Sequence, residues 1–447
     1  MFSVSSCVFI VIFFFSSLLF YRNCKRIFRN IQLGRSSGPF GDKVQRWKQV
    51  FFIAFGQKKM FKKPIVAILH LFVYIGFVII NIEIVEIILD GILGTHRVLF
   101  SPKWEGLYKF LIDSFEFLAL SVLIVCFIFL IRRNLIKIKR FWNQEMIGWP
   151  TLDANLILIF EILLMSAFLF MNATDLTLQS LSENNLYLQE KYPITGTFLI
   201  SGLIVPFLET ISIKNLIIIE RFCWWFHIVG IFCFLNYLVI SKHLHILLAF
   251  PNTYYSNLKP KGQFNNMDTV TSEVKMMLDP STDPFSQTEN SITPTRFGVK
   301  DVQDLTKIQI LNAYSCTECG RCTAECPANI TGKKLSPRKI MMDIRDRVEE
   351  IGTNLDKKGE DFDDGKSLLD DFIKPEELWA CTSCNACVEA CPLNIDPLSI
   401  ILDMRRYLVM EQSAAPSELN TVFSNIENNG APWQFSNSDR LNWKNDE

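Results

Sequence analysis

Apolar positions run in long unbroken stretches through residues 1–250 and almost never do so in residues 251–447. A helix needs roughly 20 apolar residues to cross about 30 Å of hydrocarbon. Five stretches meet that length: 3–21, 64–89, 108–131, 154–173 and 215–249. The first reads as a retained anchor. No basic segment precedes it, no small-x-small cleavage site follows it, and a dense basic stretch comes directly after. Residues 195–208 are apolar but short, and predict an interfacial or re-entrant helix. From 251 to 300 the chain turns rich in Ser, Thr, Asn, Asp and Pro ("DPSTDPFSQTENSITPT"), the composition of a linker. Helical patterns return in "VQDLTKIQILNAY", "SPRKIMMDIRDRVEEIG" and "DPLSIILDMRRYLVMEQ". The pattern predicts an all-α chain in four parts. Residues 1–250 form a five-helix transmembrane bundle, 251–300 a linker, 301–412 a helical domain and 413–447 a tail suited to docking a partner.

Charge sets the direction of the bundle. Overall the 447 residues carry a formal charge of only −1 and a mean hydropathy of +0.21, but the charges are segregated. Residues 21–63 hold a dozen Lys and Arg, among them Lys25, Arg26, Arg29, Lys58, Lys59, Lys62 and Lys63. The loop after the third stretch adds Arg132, Arg133, Lys137, Lys139 and Arg140, while the alternate loops hold few. Basic loops stay in the cytoplasm, which predicts a multi-pass protein of the inner membrane. Its N-terminus lies outside and its polar half lies in the cytoplasm. The basic residues flank apolar stretches, so their meaning is topological, and nothing in the balance points to nucleic acid.

Of thirteen cysteines, eight stand in two arrays. Cys316, Cys319, Cys322 and Cys326-Pro327 follow C-x-x-C-x-x-C-x-x-x-C-P, and Cys381, Cys384, Cys387 and Cys391-Pro392 repeat it. Three cysteines at that spacing wrap one [4Fe–4S] cubane, and the fourth ligates its neighbour. The expected sets are Cys316, Cys319, Cys322 and Cys391 for one cluster, and Cys381, Cys384, Cys387 and Cys326 for the other. Structural zinc needs a longer gap between its C-x-x-C pairs. Thiolates that bind iron must stay reduced, which again assigns this half to the cytosol. Cys7, Cys24, Cys126, Cys223 and Cys233 lie in or beside apolar stretches and read as filler.

Four of the five histidines lie in or near the spans. His70 and His245 fall at similar depths from the cytoplasmic side of their stretches, as bis-histidine ligation of a haem b requires. His227 lies 18 residues before His245, five helical turns or about 27 Å away on the same face. That leaves His96, near the outer side, as its candidate partner. His243 is out of register and reads as structural. Acidic residues in spans need a reason, and Glu161, deepest of them, is the candidate for a quinone or proton role. Glu83, Glu86, Asp113 and Glu116 are weaker candidates.

The stretches "ILHLFVYIGF" and "FHIVGIFCFLNYLVISKHLHILLAFPNTYY" resemble the membrane cytochrome b subunit of respiratory nitrate reductase and of heterodisulfide reductases. That resemblance implies a five-helix bundle with one or two b haems and a quinone site. Two-haem members carry a second histidine ten residues after the first, where this chain has Ile80. The helical two-array half resembles the C subunit of heterodisulfide reductase and the cluster subunit of succinate dehydrogenase. In such fusions a Pro-Trp stretch like that of the tail leads into a module with adjacent cysteine pairs. This chain has no such pair, so the resemblance implies a separate partner, either a soluble cysteine-rich catalytic subunit or an electron-transfer flavoprotein. No glycine-rich nucleotide loop is present, which leaves flavin or NAD chemistry to that partner. The expected function is electron transfer between membrane quinone, haem b, the two clusters and the partner. Two rivals are a membrane redox sensor or metal-site assembly factor, and a haem-free anchor bearing a ferredoxin head.

Overall fold

The computed structural model describes residues 3–38, 41–182, 185–196, 198–260, 262–279, 296–359 and 362–445. They are helical, with no strands among them. Five helices are long and apolar enough to cross a membrane. These are α1 (Val4–Gln32), α2 (Pro64–Leu93), α3 (Glu105–Asn134), α4 (Trp149–Ser180) and α5 (Ile213–Ile240). Their ends follow local chemistry. Pro64 opens α2 where no backbone donor is needed, and Gly94, at φ +73°, closes it by donating its N–H to Asp90 O.

Neighbours in sequence pack side by side, and α1 closes the bundle against α2 and α5. Small residues allow the closest approaches. A Cβ at Gly91 would come within 2.6 Å of the Phe9 ring, and one at Gly230 within 2.7 Å of Leu164. Large apolar side chains such as Phe14, Phe77, Phe110, Phe117 and Phe222 stay exposed on the outside of the bundle, as a lipid-facing surface requires.

Two expectations need correction. The fifth span does not run to residue 249. Ser241 takes an extended conformation (φ −111°, ψ 162°) and its hydroxyl accepts from the His243 amide at 3.0 Å. The Lys242 amide donates to Asp153 Oδ2 (3.0 Å), and its Nζ donates to Pro150 O (2.7 Å) and pairs with Glu318. Those tertiary partners hold the break open, and the chain restarts as α6 (His245–Tyr254). Residues 195–208 are also not one helix. Among its described residues only Ser201–Leu203 and Val205–Leu208 are helical, and the amides of Ile200 and Ser201 donate to buried Glu116 at 2.8 and 3.1 Å. That carboxylate replaces the helical partners the segment lacks.

The predicted linker is not featureless either. It contains the end of α6 and a helix α7 (Asp268–Leu278), while residues 280–295 lie outside the described residues. The polar half is built on α8 (Lys307–Ser315), α9 (Pro337–Lys358) and α10 (Pro397–Met410), with α11 (Ser417–Asn429) following. Side chains start them: Thr306 and Gln309 form a reciprocal cap on α8, Ser336 caps α9 and Asp396 caps α10.

The two halves share one apolar core. Ile27 of α1, Leu238 and Val239 of α5, and Leu244 pack with Leu305, Ile310, Ile344, Ile400 and Met404 of the polar half. α1 overshoots the bundle and runs along α9. Asn30 is fully buried and donates to Tyr314 Oη at 3.0 Å, Arg26 pairs with Glu349 at 3.0 Å, and Arg29 pairs with Asp356. The polar half therefore sits on the end of the bundle that carries the basic loops.

Candidate electron-transfer site

The two cysteine arrays fold as copies of one loop. Glu318 and Ser383, each between the first and second cysteines, have φ of 54° and 55°. Gly320 and Asn385, after the second cysteines, have φ of 70° and 60°. These left-handed residues coil the loop into a nest of backbone amides. The Ser383 amide donates to Cys381 Sγ at 3.4 Å, and the Ile395 amide to Cys391 Sγ at 3.4 Å. Gly320 is required twice over, because a Cβ there would also stand 2.4 Å from Arg338 Nη1.

Each loop opens on a cavity. Cys316, Cys319, Cys322, Cys391 and Cys387 line the first; Cys326, Cys381, Cys384 and again Cys387 line the second. All eight are free thiols. No group of three or more His, Cys, Asp or Glu among the described residues is spaced to hold a single ion. Four thiols around a cavity, too far apart to meet on one centre at about 2.3 Å, suit a cubane rather than zinc. Burial pushes the Cys316 thiol up to about 12 and Cys391 up to about 11. Iron would have to displace those protons.

The first cavity faces the bundle. Lys59, five residues before α2, donates to Cys391 O (3.2 Å) and Val388 O (3.3 Å), and Arg321 donates to Lys59 O (3.4 Å). Arg338 reaches into the α3–α4 loop, to Arg140 O (2.6 Å) and Glu145 (2.7 Å). Glu318 takes Lys242 and Arg345, the latter at 2.6 Å, as ion partners. Burial alone would raise the Glu318 carboxyl, yet Arg345 and Lys242 hold it below its ordinary range. The second cavity faces away: Cys384 is exposed, and nearby Ile330 is 68% exposed.

The break at Ser241 brings three imidazoles together. The His243 and His245 rings lie 5.5 Å apart at right angles. Burial, then His245 and His70, depress the His243 ring to about 3, so all three groups are close neighbours. His70 Nδ1 donates to Gln57 Oε1 and His245 Nδ1 to Lys242 O, both at 3.1 Å. Each therefore keeps Nε2 for a metal, with the second nitrogen oriented as haem and zinc ligands usually are. Counting helical turns put His243 out of register. The break in the helix voids that count and seats His243 beside His245.

The far-end pair fares differently. His227 Nδ1 donates to Leu164 O at 2.9 Å. His96 has both nitrogens engaged, with Asp175 at 3.1 Å and Arg221 at 3.4 Å. They meet α4 eleven residues apart, about 16 Å of helix rise, so the structure does not bring them together. Glu161 is half-buried beside Cys126 and makes no hydrogen bond or ion pair among the described residues. No sequence signal singled out Gln57, Lys59, Lys242, Glu318, Arg321 or Arg338. Arg321 and Glu318 at least sit inside the first array, where any charge lies near iron.

Residues 315–395 match the 4Fe-4S dicluster domain family. The probable iron-sulfur-binding oxidoreductase FadF of Bacillus subtilis is 25% identical over 98% of this chain and 60% of its own length. The relatives of this chain are iron–sulfur oxidoreductases. The EtfAB:quinone oxidoreductase of Syntrophomonas wolfei is 28% identical over 90% of this chain and 54% of its own. The C subunit of a ferredoxin/F(420)H(2)-dependent CoB-CoM heterodisulfide reductase from Methanosarcina acetivorans is 31% identical over 26% of this chain and 59% of its own. The chain thus spans little more than half the length of the first two. No solved structure matches it. It is similar to these oxidoreductases, with a segment matching the 4Fe-4S dicluster family joined to five apolar helices of membrane-spanning length.

Proposed function

We propose that this chain is the membrane electron-transfer subunit of a quinone-dependent, heterodisulfide reductase-like oxidoreductase of the inner membrane, with the cluster domain on the cytoplasmic side. The observation that carries the reading is the clamp between the imidazole group and the first cysteine loop. Lys242, three residues before His245, is paired with Glu318, the residue next to Cys319. Lys59, which leads into the helix bearing His70, is bonded to the backbone of Cys391.

Bound there, one haem b and two [4Fe–4S] clusters would supply a row of one-electron carriers between a membrane quinone and a soluble partner. His70 and His245 would hold the haem iron through Nε2, with Gln57 and the Lys242 carbonyl fixing the tautomer of each ring. Glu161, without a hydrogen bond or ion pair among the described residues, would accept a proton from quinol. The two sets of four cysteines hold the clusters, and the exposed edge at Cys384 meets the partner together with α11 and the tail. A relative named as an EtfAB:quinone oxidoreductase supports both the quinone and an electron-transfer flavoprotein as that partner. A cysteine-rich catalytic subunit is the other partner class. Direction of flow follows from which partner is present.

The test is the reduced-minus-oxidised spectrum of the purified membrane protein. A b-type α-band lost in His70→Ala and in His245→Ala, but kept in His227→Ala, is the expected result. No α-band in the wild type overturns the haem assignment and leaves a ferredoxin head on a haem-free anchor. Loss of the band in His243→Ala with retention in His245→Ala moves the ligand by two residues.

A further inference from the structure

Because the two cysteine loops are copies, each is a control on the other, and what differs between matched positions is charge. Arg321, buried at the first cavity, stands where the second loop has Ala386. Of the acidic differences, Glu318 (Ser383 in the second loop) is paired with Lys242 and Arg345, and Glu325 (Ala390) is exposed. Glu389 of the second loop stands where the first has Ala324. Arg321 and Arg338 line the first cavity and are 6% and 0% exposed. Arg140 has Cys319, Arg321 and Arg338 among its charged neighbours, and Lys59 bonds the Cys391 carbonyl.

The nearby carboxylates are already taken. Glu145 is bound to Arg338, and Glu318 to Lys242 and Arg345. Nε of both Arg140 and Arg338 is buried without a hydrogen-bond partner. Glu145 answers the charge of Arg338, but Arg321 and Arg140 have no carboxylate within ion-pair distance among the described residues. Positive charge buried in this way is costly unless a counter-charge completes it. The second cavity has no charged side chain in its lining. Its nearest cation, Arg405, donates to the carbonyls of Leu378 and Cys381, and Asp396 beside Cys387 offsets it.

We propose that the buried arginines centred on Arg321 make the cluster of Cys316, Cys319, Cys322 and Cys391 the more easily reduced of the two. A cubane with four thiolates is already net negative, and reduction adds one electron and no proton. Neighbouring cations in a low-dielectric site therefore stabilise the reduced form. Water at the exposed second cavity acts in the same sense on its own cluster. It does so without fixed charge, whereas the first cavity is lined by Arg321 and Arg338, with Lys59 on the Cys391 carbonyl and Arg140 near Cys319. An electron then rests on the bundle side of the pair until a partner draws it outward. Arg321 is a tuning residue, not a ligand. The inference rests on the two-cluster part of the proposed function and on neither haem nor quinone.

The experiment is an EPR-monitored redox titration of the full chain in detergent or nanodiscs, with dithionite as reductant. Cys384→Ser marks which signal belongs to the second cluster. Two unequal midpoints are expected, the higher belonging to the first cluster. Arg321→Gln is expected to disfavour reduction of that cluster at least tenfold, which is 59 mV for a one-electron couple, while the second cluster stays put. Arg321→Lys should restore most of the difference, and Ala386→Arg should raise the second midpoint. Equal shifts of both signals, no shift, or a higher midpoint on the Cys384 cluster each overturn the proposal. If Arg321→Gln loses its clusters, Arg140→Gln, outside the cysteine loops, must show the same one-sided shift. A wild type with no reduced-cubane signal at all overturns the iron–sulfur assignment instead.

Discussion

The two ends of the bundle are equally rich in buried charge and treat it in opposite ways. At the far end Arg97 is boxed in by Asp175 (3.1 Å), Glu83 (3.4 Å) and Asn172 (2.6 Å). Asn172 donates on to Glu116 at 3.2 Å, Tyr108 to Glu86 at 2.8 Å, and Asp90 caps the turn at Arg97 and Val98. Almost every polar atom there has its partner within the chain. At the near end His70 and His245 each keep a nitrogen, and Arg133, Arg140 and Arg338 each leave a buried Nε unbonded. A finished network is scaffolding, since any ligand would first have to break it. An unfinished one, buried at the same depth, marks where the chain is completed by something else.

The sharpest way to break that contrast is at the iron. Cys319→Ser should cost about half of the bound iron, and stability with it, because cluster binding is folding energy in a shared core. Full iron content in the purified variant would refute the ligand set. Next in size, Arg97→Ala strands Asp175 and Glu83 and should cost about 3–5 kcal/mol, lowering the unfolding temperature in detergent while leaving visible spectra unchanged. A spectral change would move the far end into the redox machinery. His96→Gln should be milder, about 1–3 kcal/mol, again with any haem band intact. Loss of that band would reinstate His96 as a ligand.

Acid sensitivity sharpens the near end. The folded Glu318 carboxyl titrates below its unfolded value, so its contribution is complete above about pH 4.5 and fades as pH falls through the depressed value. Lys242→Met should shrink that acid-side loss; an unchanged pH profile of unfolding would count against the clamp. Smallest of all, Lys62→Ala removes an exposed pair with Glu389. It should cost under about 1 kcal/mol, and nothing at high salt.

Run length and charge made the five spans legible, because hydrocarbon thickness and loop charge are the same for every membrane protein. The end of the fifth was not legible. Ser241 and Lys242 are unremarkable in an apolar stretch, and only Asp153, Pro150 and Glu318, each remote in sequence, turn the chain there. That one break also decided the histidines, since register holds only along an unbroken helix. The cysteine arrays stood out because their spacing is local. The charge asymmetry between them depends on Arg140 and Lys59, which arrive from other loops. Glu83, Glu86 and Glu116 looked costly one at a time; their partners (Arg97 for Glu83, Tyr108 and the Leu99 amide for Glu86, Asn172 and the Ile200 and Ser201 amides for Glu116) carry no motif to mark them.

The core that runs from Ile27 and Leu238 into Ile344 and Met404 has a kinetic consequence. Domains joined by a mobile tether can ferry electrons by swinging between donor and acceptor. Here the cluster domain is bolted to the bundle by apolar packing and by α1, and it has nowhere to swing. Under the proposed function the travelling falls to the partner, and turnover should then scale with how often that partner collides with the Cys384 face.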